Sequence, residues 1–174
     1  MLKLPKLSLV FYQAMRQIYK LLLLVFYLVI GCGYSTRSLL PSHLKTIAVK
    51  TVENSSTQPG LAEELTFALP KAFNIDRSLR VTSIEQAHLL LSATITSYSK
   101  TAAAYNSNQE VSTYEITLTA LVDVIDQIRN EPFFNGTVTS RVPYDPQRSS
   151  EEEVARTAIE KLAREIVRQV VTAW

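Results

Sequence analysis

One cysteine, four glycines, two histidines and one tryptophan in 174 residues close off a good deal of chemistry. With a single thiol, Cys32, the chain can form no internal disulfide, so its fold must stand on its core alone. Four glycines leave no glycine-rich phosphate loop, and neither an HExxH nor a GxSxG run occurs. His43 sits in a polar lead-in and His88 on a strand, facing away from the core; both read as solvated side chains rather than bases. Asp123 and Asp126 lie three apart on a strand and point to opposite faces, where a catalytic carboxylate pair would have to converge. Glu151-Glu152-Glu153 reads as the acidic first turn of a helix. The chain is therefore read as a non-enzyme, with no catalytic residue, no metal site and no cofactor. A long hydrophobic run is missing too: the apolar stretch from Leu21 to Ile30 is ten residues, against the roughly 20 that span a bilayer.

Ten apolar residues do suit a secretory signal. Lys3, Lys6, Arg16 and Lys20 precede them without any acid, and the small residue Gly31 follows just before Cys32. Val29-Ile30-Gly31-Cys32 resembles the lipobox of bacterial lipoproteins, in which the thiol is diacylglycerated, the leader is cut before it and the new amine is acylated. Residues 1–31 are accordingly read as a lipoprotein signal peptide, with Met15 a plausible true start, and Cys32 as the lipidation site. One acyl chain holds a protein only marginally on a membrane, whereas two or more anchor it stably. Gly33, in place of Asp, resembles the sorting signal that sends such proteins to the outer membrane, giving a lipid-anchored, periplasm-facing domain. Removing the leader takes Lys+Arg from 18 to 14 against 16 acids, so the net charge moves from +2 to −2. A nucleic-acid partner then has no electrostatic footprint.

Residues 32–44 read as a lipidated tether and 45–174 as a single domain. Alternation over Lys45–Val52 predicts a strand, and Glu53–Gly60 a turn leading into a helix capped near Thr57 or Gln58, with Pro59 in its first turn. Leu61, Leu65, Ala68, Leu69 and Ala72 keep helical spacing, and Pro70 is expected to kink or end that helix. Leu79–Thr82 suits a short strand and Ser83–Gln86 a turn. Two long alternating runs follow, Ala87–Lys100 and Glu110–Gln127, then a weaker strand, Phe133–Val142, with a bulge expected at Asn135-Gly136. Ser150 and Glu153 form a capping box, after which Ala155, Ala158, Ile159, Leu162, Ile166 and Val170 line one helical stripe. The reading is an α+β two-layer sandwich, with an about four-stranded, mostly antiparallel sheet and two helices on one face. The long hairpin outruns a usual strand of about 5–6 residues, so its far part, through Thr101–Gln109, should project beyond the core.

The Cys32-Gly33-Tyr34 start, Ile47-Ala48-Val49, the Asn54 turn, Pro59-Gly60-Leu61 with Glu64-Leu65-Thr66, and Ala87-x-Leu89 leading to Tyr98 are similar to the lipopolysaccharide-assembly lipoprotein family LptE. The resemblance implies a domain that plugs a large outer-membrane β-barrel translocon subunit (LptD-like), helps that barrel fold, and contacts lipopolysaccharide. A barrel wall is polar inside, so Thr96, Tyr98, Glu115 and Thr117 on the open sheet face, with Tyr105 and Asn108 at the tip, are the candidate barrel contacts. The family's basic lipopolysaccharide contacts have no motif here; Lys100, Arg129 and Arg141, near strand ends, are the candidates. The alternative is a lipid-binding auxiliary lipoprotein of an ABC-type envelope transporter, which would need an apolar groove.

Overall fold

The structure, a computed structural model, describes residues 15–17, 19–20 and 40–173. The chain divides into two units, Met1–Arg37 and Ser38–Trp174. The described residues of the first are helical; the lipidation motif and most of the tether lie outside the described residues. No described helix is long and apolar enough to cross a membrane.

In the second unit the elements run β1 (Thr46–Val49), β2 (Glu53–Asn54), α1 (Leu61–Asp76), β3 (Arg80–Val81), a 3-10 turn (Ile84–Gln86), β4 (Leu89–Tyr105), β5 (Val111–Asp126), β6 (Glu131–Tyr144) and α2 (Glu151–Val171). The sheet is mixed and six-stranded, ordered β3-β1-β4-β5-β6, with β2 also on the β4 edge. The α+β class stands, and the expected about four-stranded, mostly antiparallel sheet is corrected to a mixed one of six. β1 pairs in parallel with both β3 and β4, and β2 in parallel with β4. Parallel neighbours need a crossover, and α1 supplies it between β1 and β3. The expected strand Lys45–Val52 is broken because Val52 turns into the core and gives its N–H to Thr66 Oγ1 on α1, 3.1 Å away, instead of to the ladder.

α1 differs from expectation at both ends. Gly60, in the left-handed region at φ 82°, forms its N-cap without a side-chain bond, so the helix starts at Leu61. It runs through Pro70 to Asp76 and stops at Arg77, whose left-handed φ of 66° lets its N–H return to the Phe73 carbonyl. The proline forfeits one backbone bond, but buried Leu69, Ala72 and Phe73 on either side hold the helix against the core. α2 begins as the capping box predicts, the Ser150 hydroxyl accepting the Glu153 N–H at 3.2 Å.

Both helices cover one face of the sheet. Leu65, Leu69 and Phe73 of α1 and Ile159, Leu162 and Ile166 of α2 close over Ile47, Leu89, Leu91, Ile95, Ile116 and Leu118. Buried Ser140 ties β6 to α2 by donating to the Ala158 carbonyl, 2.9 Å away. The bulge of β6 falls at Phe133, where the register shifts between Val124 and Ile125, and not at Asn135-Gly136. Gly136 pairs in register with Val122 and instead makes room for the Phe134 ring, which a Cβ there would meet at 2.9 Å.

The α2 stripe is fully buried while its charges are not. Leu162→Ala or Ile166→Ala should cost about 2–5 kcal/mol. Arg164→Ala, which breaks an exposed 3.8 Å pair with Glu160, should cost about 0.3–0.5 kcal/mol. Urea melts giving the reverse order would show that the helix face is misassigned.

Candidate functional site: the long ribbon and its open face

β4 and β5 pair continuously from Leu89–Asp126 to Tyr105–Val111, and β6 accompanies β5 as far as Tyr114–Tyr144. Beyond that rung the sheet is a two-stranded ribbon with every residue from Thr101 to Glu110 exposed. Its turn is built by Asn106: the side-chain oxygen accepts the N–H groups of Asn108 and Glu110, and Gln109 takes φ 64°. Tyr105, 65% exposed, and Asn108 both sit at this tip.

The face turned away from the helices carries hydroxyls and few charges. Glu115, Thr117 and Thr119 of β5 stand between Thr101, Ser99 and Ser97 of β4 and Pro143, Arg141 and Thr139 of β6. Thr96 Oγ1 donates to the Thr119 carbonyl at 3.2 Å, and the Thr119 and Thr139 hydroxyls meet at 3.3 Å. Thr96, Glu115 and Thr117 therefore lie together, with Arg141 beside Thr117.

Tyr98 is not on this face. The register of β4 shifts between Ile95 and Ser97, so Thr96 is an extra residue and the alternation flips after it. Tyr98 now shares the helix side with Leu118 and packs against the core. Its hydroxyl donates to Glu151 Oε1 at 2.7 Å, and Lys100 Nζ donates to Glu151 Oε2 at 2.6 Å. Lys100 also lies 4.7 Å from the centre of the Tyr114 ring, which stacks on Tyr144. Burial, then the bond to Glu151, pushes the Tyr98 hydroxyl well up; the bond to Glu151 also raises Lys100, and Lys100 and Tyr98 together hold Glu151 below the ordinary carboxylate value. The cluster caps the core where the ribbon leaves it and pins the start of α2.

The three candidate cations do not converge. Lys100 is engaged on the helix side, and Arg141 is on the open face. Arg129 is in the β5–β6 turn, at the opposite end from the tip, 3.4 Å from Glu131.

Neither histidine is simply solvated. His43 Nε2 lies 3.1 Å from Oδ2 of buried Asp126, whose other oxygen accepts the N–H groups of Ile128 and Arg129. His88 Nδ1 accepts the Lys45 N–H at 3.1 Å, and the His88 N–H donates to Thr46 Oγ1. Both rings fasten the segment by which the chain enters the domain. No local signal marks this arrangement, since His43 and Asp126 are 83 residues apart. Among the described residues no group of three or more His, Cys, Asp or Glu is placed to hold a metal ion.

A separate groove of about 510 Å³ runs between α1 and α2 on their outer side. Phe67, 79% exposed, Ile75, 69% exposed, Ala68 and Ile159 form its floor and walls; Lys71, Arg156 and Arg164 lie at its rim with Glu64 and Glu160. No sequence pattern marks this groove, because Phe67 and Ile75 fall outside the apolar stripe of α1.

The model of the lipopolysaccharide-assembly family LptE matches residues 44–173. The chain belongs to that family. This makes it an envelope lipoprotein of lipopolysaccharide assembly, associated with lipopolysaccharide transport machinery, from a family without enzymatic activity. No curated protein sequence matches. Among solved structures, the hypothetical protein CT253 of Chlamydia trachomatis is similar at 14% identity and TM-score 0.55, covering 75% of this chain and 99% of that one. Protein XCC0632 of Xanthomonas campestris is similar at 13% identity and TM-score 0.54, covering 79% and 90%. At these identities the likeness is one of fold.

The Asp126 bonds make stability pH-dependent. Burial alone would raise its pKa, but the His43 ring and the Arg129 and Ile128 N–H groups more than offset that and leave it below the ordinary 3.8. A depressed carboxylate contributes stability that is fully present above its unfolded value and is lost as pH falls through the folded one. The stability deficit of Asp126→Asn relative to wild type should therefore be full at neutral pH and shrink below about pH 4. Denaturant melts showing a deficit that grows on acidification would overturn this assignment.

Proposed function

We propose that this chain is a plug and assembly subunit of a β-barrel lipopolysaccharide translocon, anchored to the outer membrane by acyl chains on Cys32. The observation that carries the reading is the ribbon. A domain of the lipopolysaccharide-assembly family presents a continuous hydroxyl-rich sheet face, with Thr96, Thr117, Thr119 and Thr139 on it. That face ends in a fully exposed tip. Hydroxyls and a few charges suit the inward-facing polar side chains of a barrel wall, and a rigid three-stranded face can template or brace strands closing around it. In this reading the barrel subunit (LptD-like) is the partner and lipopolysaccharide the cargo, with Arg141 the basic candidate that shares the open face.

The groove between α1 and α2 favours a second reading. Exposed Phe67 and Ile75 between flanking cations offer the apolar trough that a lipid-binding auxiliary lipoprotein of an ABC-type transporter would need. Affinity purification of the tagged, lipidated protein separates the two. A co-purifying, heat-modifiable outer-membrane barrel supports the plug; an inner-membrane permease or ATPase supports the auxiliary role.

Substitutions at the tip should act on association and not on folding. Ala103→Arg and Tyr105→Asp lie on exposed ribbon, so the variants should keep the wild-type unfolding free energy within about 0.5 kcal/mol. They should recover less barrel protein and admit hydrophobic antibiotics to the cell. A photocrosslinker at Tyr105 or Asn108 should trap the barrel; crosslinks to lipid alone, with normal assembly of both variants, would sink the plug reading.

Lipidation is tested separately. Metabolic labelling with an alkynyl fatty acid should mark the wild type and leave Cys32→Ala unlabelled with its leader uncleaved. Persistent label on the variant would refute the assignment.

A further inference from the structure

The sheet has two long edges, and they are built differently. β6 is one edge over its 14 residues. It carries Pro132 and Pro143, which cannot donate to a new ladder, charged Glu131 and Arg141, and a carbonyl, that of Arg141, already taken by Lys161 Nζ at 2.7 Å. These are the devices that keep an edge from recruiting another strand. The other edge is β4. There β1 and β2 cover residues 89–95, and the last bond on that side runs from the Ser55 N–H to the Ile95 carbonyl at 2.8 Å. From Thr96 to Tyr105 no described strand lies on the side of β4 away from β5.

The direction of its backbone groups follows from the register. The Leu91 and Ile95 carbonyls point away from β5, toward Lys50 and Ser55. After the extra residue Thr96 the alternation flips, so Tyr98, Lys100 and Ala102 present their N–H and C=O groups to the uncovered side. This stretch holds no proline, and its single charge, Lys100, is turned toward α2 and neutralised by Glu151. Ser97, Ser99 and Thr101 flank it on the open face with hydroxyls.

We propose that this edge of β4, Thr96–Tyr105, is a strand-addition site that takes an extended, uncharged segment of the barrel subunit. The proposal rests on the plug reading and names the contact by which it would be held. A row of unpaired amides and carbonyls is matched by an extended backbone, and the neutral hydroxyl-rich flank selects against charged strands. A second copy of this chain is the poorer occupant. Glu151 contacts Tyr98 and Lys100 near the middle of the edge, so a two-fold pairing would bring two acidic α2 starts, Glu151-Glu152-Glu153, against each other.

Hydrogen exchange read by mass spectrometry tests this on the full lipidated protein, alone and co-purified with the barrel. Alone, the peptide spanning 96–105 should hold a fast-exchanging population from Tyr98, Lys100 and Ala102; in the complex that population should slow by at least about tenfold. Ala102→Pro, which deletes one outward N–H, should leave the melting midpoint of the protein unchanged and lower barrel recovery several-fold. A recovered complex with unchanged exchange at 96–105 overturns the edge proposal and leaves the plug reading standing. Failure to recover any barrel with the wild type overturns both. Protection that rises with concentration in the isolated protein, with dimers in sedimentation, assigns the edge to a second copy and overturns the proposal.

Discussion

Strand length against helix length is the constraint to which the rest of the molecule answers. α2 has 21 residues, about 31 Å at 1.5 Å per residue. β4 has 17, about 56 Å at 3.3 Å per residue. Even laid along the strands, the helix leaves roughly 25 Å uncovered by that arithmetic. The sheet has to become something other than a core layer partway along, and the change is made within a few residues. Leu89, Leu91, Ala93 and Ile95 are buried, and from Thr101 outward β4 is exposed.

Thr96 makes that transition workable. Without the extra residue, Tyr98 and Lys100 would stand on the open face, and Ser97 and Ser99 would cap the hydrophobic interior. With it, an aromatic ring and an aliphatic stem with a neutralised head close the core, while small hydroxyl residues continue the open face. The Glu151 carboxylate accepts from both Tyr98 and Lys100, so the bulge, the edge of the core and the first turn of α2 are fixed by one side chain. Each of these bonds is partly exposed and modest alone; their value is geometric, because they set the angle at which the ribbon departs.

Much of this was legible in the residues. Ile116, Leu118, Ala120, Val122 and Val124 alternate with Glu115, Thr117, Thr119 and Asp123 without ambiguity, and the α2 stripe with its Ser150 box is equally plain. The bulge was not. Across Thr96–Thr101 both parities are polar or amphipathic, so a one-residue slip there moves no purely apolar side chain into water and leaves no trace in the pattern. The parallel edge was hidden by brevity, since β2 and β3 are two residues each. The entry staples were hidden by distance, His43 meeting Asp126 across 83 residues. What misled the reading of Asn135-Gly136 was a composition cue for a bulge where the glycine serves to seat the Phe134 ring.

The staples and the ribbon lie at opposite ends of the same strands. Asp126, which receives His43, pairs with Leu89 at the base of the hairpin, and Asn106 turns the chain at its tip. The segment leading from the N-terminus is thus joined to the domain at the base, by a bond to a buried carboxylate, and from there β5 extends 16 residues, roughly 53 Å at 3.3 Å per residue. A freely hinged joint at Leu44 would let the tip point anywhere relative to the lead-in; the His43 and His88 bonds tie the joint to the sheet and so fix the ribbon relative to the residues by which the chain enters the domain. In the proposed role, with an acyl anchor at one end and a barrel partner at the other, that fixed direction would serve as much as the contact surface itself. Both of the chain's histidines hold the residues with which the domain begins, His43 through Asp126 and His88 through Lys45 and Thr46.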